Sequence, residues 1–180
     1  METKEKPLYK VESGFEVRKV KKGTLLLKQG ETAHFFYQVK KGCLRTFVIS
    51  SSGKECVINL APEDWVVGDL GSFAYGEKAI LYIDALEDSE IVFFDKRMLD
   101  TVTHAEKDAL LAEIGRSYKH IINNNKRFIQ LLSFTAEERY EAFLQTYPSL
   151  AQRIPLKHIA SYLGITPEAL SRIRKKLKND

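Results

Sequence analysis

Residues 154–177 read IPLKHIASYLGITPEALSRIRKKL, a pattern that predicts two short helices joined by a tight turn. Ile159, Leu163, Ile165, Leu170 and Ile173 fall where two steeply crossing helices bury their facing sides, and Ala160 is small where they come closest. Gly164 supplies the left-handed backbone that such a turn needs. Thr166 is a natural N-cap, followed by Pro167 at the first helical position and Glu168 in the first turn. Burying the apolar set leaves Pro167, Glu168, Ser171, Arg172 and Lys175 on the outward face of the second helix. A helix of this width fits the major groove of B-DNA, where an Arg pairs with guanine through two hydrogen bonds and a carboxylate accepts from cytosine. Lys175, Lys176, Lys178, Arg174 and the first-helix Lys157, with His158 or Ser161, are better placed for phosphates, which supply affinity without sequence information. The candidate DNA-binding set is Lys157, Ser161, Thr166, Pro167, Glu168, Ser171, Arg172, Lys175 and Lys176. The bland alternative is a helical hairpin with a basic exterior.

Charge agrees with the sharper reading. The last thirty of the 180 residues hold seven basic side chains against two acidic ones, whereas the whole chain carries only +4. A local excess of this kind suits a polyanionic partner.

Upstream, Leu111, Ile114, Tyr118, Ile121, Asn125, Phe128 and Leu132 recur at alternating steps of 3 and 4 residues, the coiled-coil seam. The seam would be ~32 Å long, more than one face of a small β unit covers, so a second copy of the same helix is its expected cover. Asn125 in the seam would fix register at some cost in stability. Leu110, Ile122 and Ile129 beside it are expected to meet the helix's own chain. After a break at Ser133–Thr135, Thr135 should cap a further helix over Ala136–Tyr147, with Glu137 and Glu138 in its first turn.

From Val11 to about Asp95 the chain alternates short apolar runs with turn residues. Strands are expected at Thr24–Leu27, Phe35–Val39, Leu44–Ile49, Cys56–Leu60, Leu81–Leu86 and Glu90–Phe94, with Ser51–Lys54 as a hairpin loop. The aromatic residues Phe35, Phe36, Tyr37, Phe47, Phe93 and Phe94 follow strand alternation, and Trp65 reads as core.

Taken together, the chain resembles the Crp/Fnr family of bacterial transcription regulators. The resemblance runs from Val11 to Leu177 and rests on Lys22-Gly23-Thr24 with Gln29-Gly30-Glu31, on Val39 to Gly42, on Gly68-Asp69-Leu70-Gly71 with Phe73, and on the helix-turn-helix. It implies an α+β protein with an N-terminal antiparallel β-roll resembling a cyclic nucleotide-binding jelly roll, a long dimerisation helix and a C-terminal all-α helix-turn-helix lacking the usual wing. The corresponding boundaries are 1–103, 104–134 and 135–180. The resemblance also implies an effector pocket at Gly68, Asp69, Leu70, Gly71, Ala79, Ile80 and Tyr82. Family members that bind cyclic AMP hold its phosphate with an Arg-Ser pair; the matching residues here are Ala79 and Ile80, so an unidentified small-molecule effector other than cyclic AMP is expected. In the recognition helix, Glu168 and Arg172 keep base-reading residue types, whereas Pro167 departs from the polar or basic residue often found there.

The expected partners are double-stranded DNA and a second copy of the chain, with RNA polymerase as a further candidate. Met1 to Lys10 lacks the apolar core of a leader, and no run approaches the ~18 apolar residues of a membrane span. A cytoplasmic, membrane-free protein follows as the expectation. Cys43 and Cys56 lack the partners needed for an iron–sulfur cluster, and His34, His104, His120 and His158 lack ligand spacing, so no metal is expected. Phosphate-binding loops, zinc-protease helices and nucleophile elbows are absent from the sequence, which points away from an enzyme. The acids Glu63, Asp64, Asp69, Glu77, Asp84, Glu87 and Asp88 read as a solvated face. The competing class is a small-molecule binding module whose basic C-terminus contacts a protein or RNA. It differs in predicting that Glu168 and Arg172 play no part in choosing the partner.

Overall fold

The computed structural model describes residues 16–95 and 121–179. Eight strands form two antiparallel sheets within the first segment. One holds β1 (Val17–Val20), β8 (Ser89–Phe94), β3 (Phe36–Lys41) and β6 (Val66–Val67), and the other holds β2 (Leu25–Leu27), β7 (Tyr82–Ala85), β4 (Leu44–Ile49) and β5 (Glu55–Ala61), each in that spatial order. Sheets stacked in this jelly-roll manner bury their facing side chains between them. Leu27, Tyr37, Val39, Leu44, Ile83 and Ile91 form that interior. The hairpin at Ser50–Lys54 closes β4 onto β5 through Gly53, whose positive φ of 80° suits a residue without a side chain.

All six expected strands are present with ends shifted by no more than two residues. The sequence reading missed β1, β6, a six-residue helix, α1 (Leu70–Tyr75), and, after the roll, the four-residue helix at Leu150–Arg153. Each is too short to show a period of its own, and the first two exist because β8 and β3 offer them a hydrogen-bonding edge.

In β4, Leu44 faces the roll interior while its neighbour Arg45 points the other way and is nevertheless only 4% exposed. An antiparallel sheet with both faces covered has something docked on its outside. Here that something is the C-terminal helical unit. It consists of α2, helical over 121–133 among the described residues, then α3 (Ala136–Thr146), α4 (Leu150–Arg153), α5 (Leu156–Tyr162) and α6 (Pro167–Asn179). One continuous apolar cluster joins Cys43, Val57, Leu60 and Leu86 of the roll to Phe143, Tyr147, Leu150 and Ile159 of the helices. Trp65 packs against both clusters, with its ring 5.9 Å from Tyr147.

α3 starts as expected. Thr135 and Glu138 form a reciprocal capping box in which the Thr135 hydroxyl accepts from the Glu138 amide and the Glu138 carboxylate accepts from the Thr135 amide. These contacts hold the Glu138 carboxyl below the usual range.

Candidate nucleic-acid interface

α5 and α6 form the helix-turn-helix that the sequence predicts. Ile159, Ala160, Leu163, Leu170 and Ile173 are buried between them and the neighbouring α3, each large side chain contributing about 1.5–3 kcal/mol by leaving water. Gly164 makes the turn at φ 68°, where the Ile165 amide donates to the Ala160 carbonyl at 3.0 Å. Thr166 caps α6 by accepting from the Ala169 amide at 3.2 Å. Arg139 of α3 pins the turn by donating to the Leu163 carbonyl at 2.9 Å.

Burial of that seam settles which residues face outward. Pro167, Glu168, Ser171, Arg172 and Lys175 are all exposed along one side of α6, and Lys157 is exposed on α5. Glu168 has its carboxyl held below its ordinary range by its own backbone amide, with help from Thr166 and Arg172.

Other members of the expected set are engaged elsewhere. Lys176 is ion-paired with Glu137 of α3 at 2.9 Å. Thr166 spends its hydroxyl on the cap. Ser161 and His158 require a correction, because they face the β-roll: the Ser161 hydroxyl accepts from the Val57 amide at 2.9 Å and donates to the Glu55 carbonyl at 3.0 Å. The reason is topological. β5 is the outer strand of its sheet, its free edge carries unpaired backbone groups, and α5 lies against them.

Among the acids expected to form a solvated face, Asp64, Glu77 and Asp88 are exposed, whereas Glu63, Asp84 and Glu87 need correction. Asp84 and Glu55 hold the guanidinium of Arg45 at 2.7 and 2.6 Å, while Glu63 and Glu87 hold that of Arg153. Burial pushes the Glu63 carboxyl up, but the Arg153 hydrogen bond and neighbouring amides bring it below its usual range. Arg45, Arg127 and Arg153 are the residues that sequence reasoning missed. The one signal available was an arginine inside an apolar strand run, at position 45.

At the expected effector site, Asp69 is buried and caps α1. Its two carboxyl oxygens accept from the Ser72 amide at 3.0 Å and the Ile80 amide at 2.9 Å. Gly68 is required there, since a Cβ would lie 2.2 Å from the Phe36 ring. Ala79 is in the core, whereas Leu70 and Ile80 point outward and Tyr82 stacks on Phe47 with 5.0 Å between ring centroids. Asp69 ties the turn to Ile80 through its two bonds. The Ser72 and Ile80 amides are already taken by the Asp69 carboxylate, and Ala79 and Ile80 bring no cation to pair with a cyclic phosphate.

Of the seam, Leu111, Ile114 and Tyr118 lie outside the described residues. Ile121, Asn125, Phe128 and Leu132 are exposed, Phe128 at 63% and Leu132 at 72%. Ile122 and Ile129 are exposed as well, against the expectation that they meet their own chain. That role belongs to Arg127, which donates to the Tyr162 and Val57 carbonyls and stacks on the Tyr162 ring. Among the described residues no cluster of His, Cys, Asp and Glu could hold a metal ion, and no helix is long and apolar enough to cross a membrane.

The cyclic nucleotide-binding domain model matches residues 17–106, half of the chain. The transcriptional activator protein FnrA of Stutzerimonas stutzeri is 28% identical over 172 residues, covering 87% of this chain and 68% of FnrA. The anaerobic regulatory protein of Pasteurella multocida is 27% identical over 177 residues, covering 88% of this chain and 62% of that protein, so the chain spans less than two thirds of this relative. In three dimensions, FixK2 from Bradyrhizobium japonicum superimposes with a TM-score of 0.79 at 19% identity, covering 92% of this chain and 85% of FixK2. The curated relatives are regulators and not enzymes. With the roll, the helix-turn-helix and these likenesses in agreement, the chain belongs to the cyclic nucleotide-binding domain family and is a regulator of the Crp/Fnr type.

Proposed function

We propose that the protein is a sequence-specific, DNA-binding transcription regulator that works in the cytoplasm as a homodimer. Residues 1–103 act as the sensor, 104–134 as the pairing helix and 135–180 as the reading head. One observation carries the reading: α6 buries Leu170 and Ile173 and leaves Pro167, Glu168, Ser171, Arg172 and Lys175 on its solvent side. Glu168 and Arg172 take base edges in the major groove; Lys157 and Lys175 take phosphates. Ser161 is dropped from this set because its hydroxyl is engaged at β5, and Lys176 joins it only when released from Glu137.

Exposure of Ile121, Phe128 and Leu132 supports pairing of two chains along α2, since an apolar stripe of this kind asks for a partner. Pairing sets two reading heads about one DNA turn apart, ~34 Å, on a pseudo-palindromic site. The effector pocket is formed by residues 68–71 with Ala79, Ile80 and Tyr82. Its occupant is a small molecule other than cyclic AMP, because Asp69 already takes the Ser72 and Ile80 amides and Ala79 and Ile80 bring no cation.

Selection of bound duplexes from a random pool by the full chain tests the proposal. A two-fold related motif is expected to emerge, and Arg172→Ala should relax preference at one symmetric pair of positions. A pool that emerges unenriched overturns it.

A further inference from the structure

We propose that the helix-turn-helix is clasped to the β-roll of its own chain at the free edge of β5, and that opening this clasp is a conformational step built into the fold. The edge itself supplies the first half. Glu55 and Val57 offer backbone groups that β4 does not use, and side chains from the helical unit take their place: Ser161 bonds both, and Arg127 donates to the Val57 carbonyl at 3.2 Å. A sheet edge satisfied by side chains can be released without breaking the sheet, because the strand keeps its ladder to β4 on the other side.

Arg45 supplies the second half. Its guanidinium lies over the Phe47 ring at 4.0 Å and is held by Asp84 and Glu55 from the roll. Its remaining reach crosses to α5, where it meets His158 Nδ1 at 2.9 Å. Arginine only donates, so Nδ1 must be the unprotonated, accepting nitrogen. The groups facing His158 are thus Arg45 from β4, Asp84 from β7, Glu55 from β5 and Lys157 from α5 itself. A neutral ring is required for closure, and burial followed by the Arg45 and Lys157 charges lowers its pKa to about 4.

The closed state is held incompletely. Arg127 Nε is buried with no hydrogen-bond partner among the described residues, and charges gathered at an interface cost desolvation that offsets much of their attraction. On this proposal the joint has a second, open arrangement, which is what a switch needs. Cys43 lies beneath it, fully buried in the cluster shared by the roll and the helices, with its thiol pushed up to about 12 by burial. Opening would uncover it.

What the clasp releases is a reading head only on the function proposed above, but the clasp is a property of the free chain and is tested without DNA. The full-length protein carrying Cys56→Ser is compared with the same protein carrying Ser161→Ala and His158→Ala. The expected result is ~10-fold faster hydrogen exchange at the Val57 amide and ~10-fold faster alkylation of Cys43, with amides of the central strand β4 protected as before. Unchanged rates at both probes would overturn the proposal. So would an equal loss of protection in β4, since the contacts would then belong to global stability. Glu55→Gln, on a side chain half open to solvent, gives a milder variant and should move both probes in the same direction.

Discussion

Arg45 and Arg172 are the same side chain in opposite settings, one sealed in the joint between the roll and the helices and one on the solvent side of α6. Arg45 has its donors engaged by Asp84, Glu55 and His158 and its face on Phe47. Arg172 is exposed, its nearby influence being felt on Glu168. A buried guanidinium must be satisfied from within, because no water remains to do so. An exposed one costs the fold little and keeps its planar donor fork available to a base or a phosphate. Charge therefore serves internal geometry in one region and, on the proposed function, outside recognition in the other.

That contrast can be broken most forcefully at Arg45. Arg45→Met leaves Asp84 and Glu55 without their cation, and a loss of ~3–5 kcal/mol in urea unfolding is expected. A loss below ~1 kcal/mol would mean that Arg45 is no more than a surface charge. The counterpart is Arg172→Ala, which should leave stability within ~0.5 kcal/mol while reducing discrimination between the selected site and a point-substituted one by ~10–100-fold. If both substitutions altered stability alike, the division between joint and reading face would be wrong.

Acidity sharpens the same contrast. The His158 pKa is depressed on folding, so its neutral ring contributes fully above the unfolded value of 6.5, and that contribution is lost as pH falls toward about 4. Glu55, held below its ordinary range chiefly by the Arg45 hydrogen bond, loses its contribution only at lower pH, once it is protonated. Alkylation or hydrogen-exchange measurements should therefore show the joint loosening between pH 6.5 and 4.5, less so in His158→Ala. Opening independent of pH over that window would count against a neutral His158 in the closed joint. The capping box comes next: Thr135→Ala should destabilise the chain by ~1 kcal/mol, read as a shift of the unfolding midpoint. Last, Lys175→Ala should lower the logarithmic salt dependence of DNA binding by ~1 without altering sequence preference. Altered preference would place Lys175 on a base.

The helix-turn-helix was legible because its signals are local. Gly164, Thr166 and Pro167 act within a few residues of themselves, and Leu170 and Ile173 declare a buried face by spacing alone. β4 and β5 were legible for the same reason, their alternation and the hairpin glycine lying close together in the chain. The apolar stripe on α2 was also visible as a periodicity, and Ile121, Phe128 and Leu132 do lie exposed on it.

Ser161 marks where that legibility stops. As a sequence feature it is a small polar residue on the first helix of a DNA-binding motif, and only the approach of β5 turns its hydroxyl inward. Asp84 and Glu63 looked like solvated acids until arginines from β4 and α4 were brought beside them.

Sequence by itself determined most of the strands, the helix-turn-helix and the identity of the side chains that α6 leaves outward. All of these depend on residues separated by one turn or one hairpin. Tertiary structure alone decided which charges are buried and where the helical unit docks, because Arg45 and His158 are brought together across 113 positions of chain. No periodicity encodes a contact at that separation; it exists only when two independently stable faces find each other.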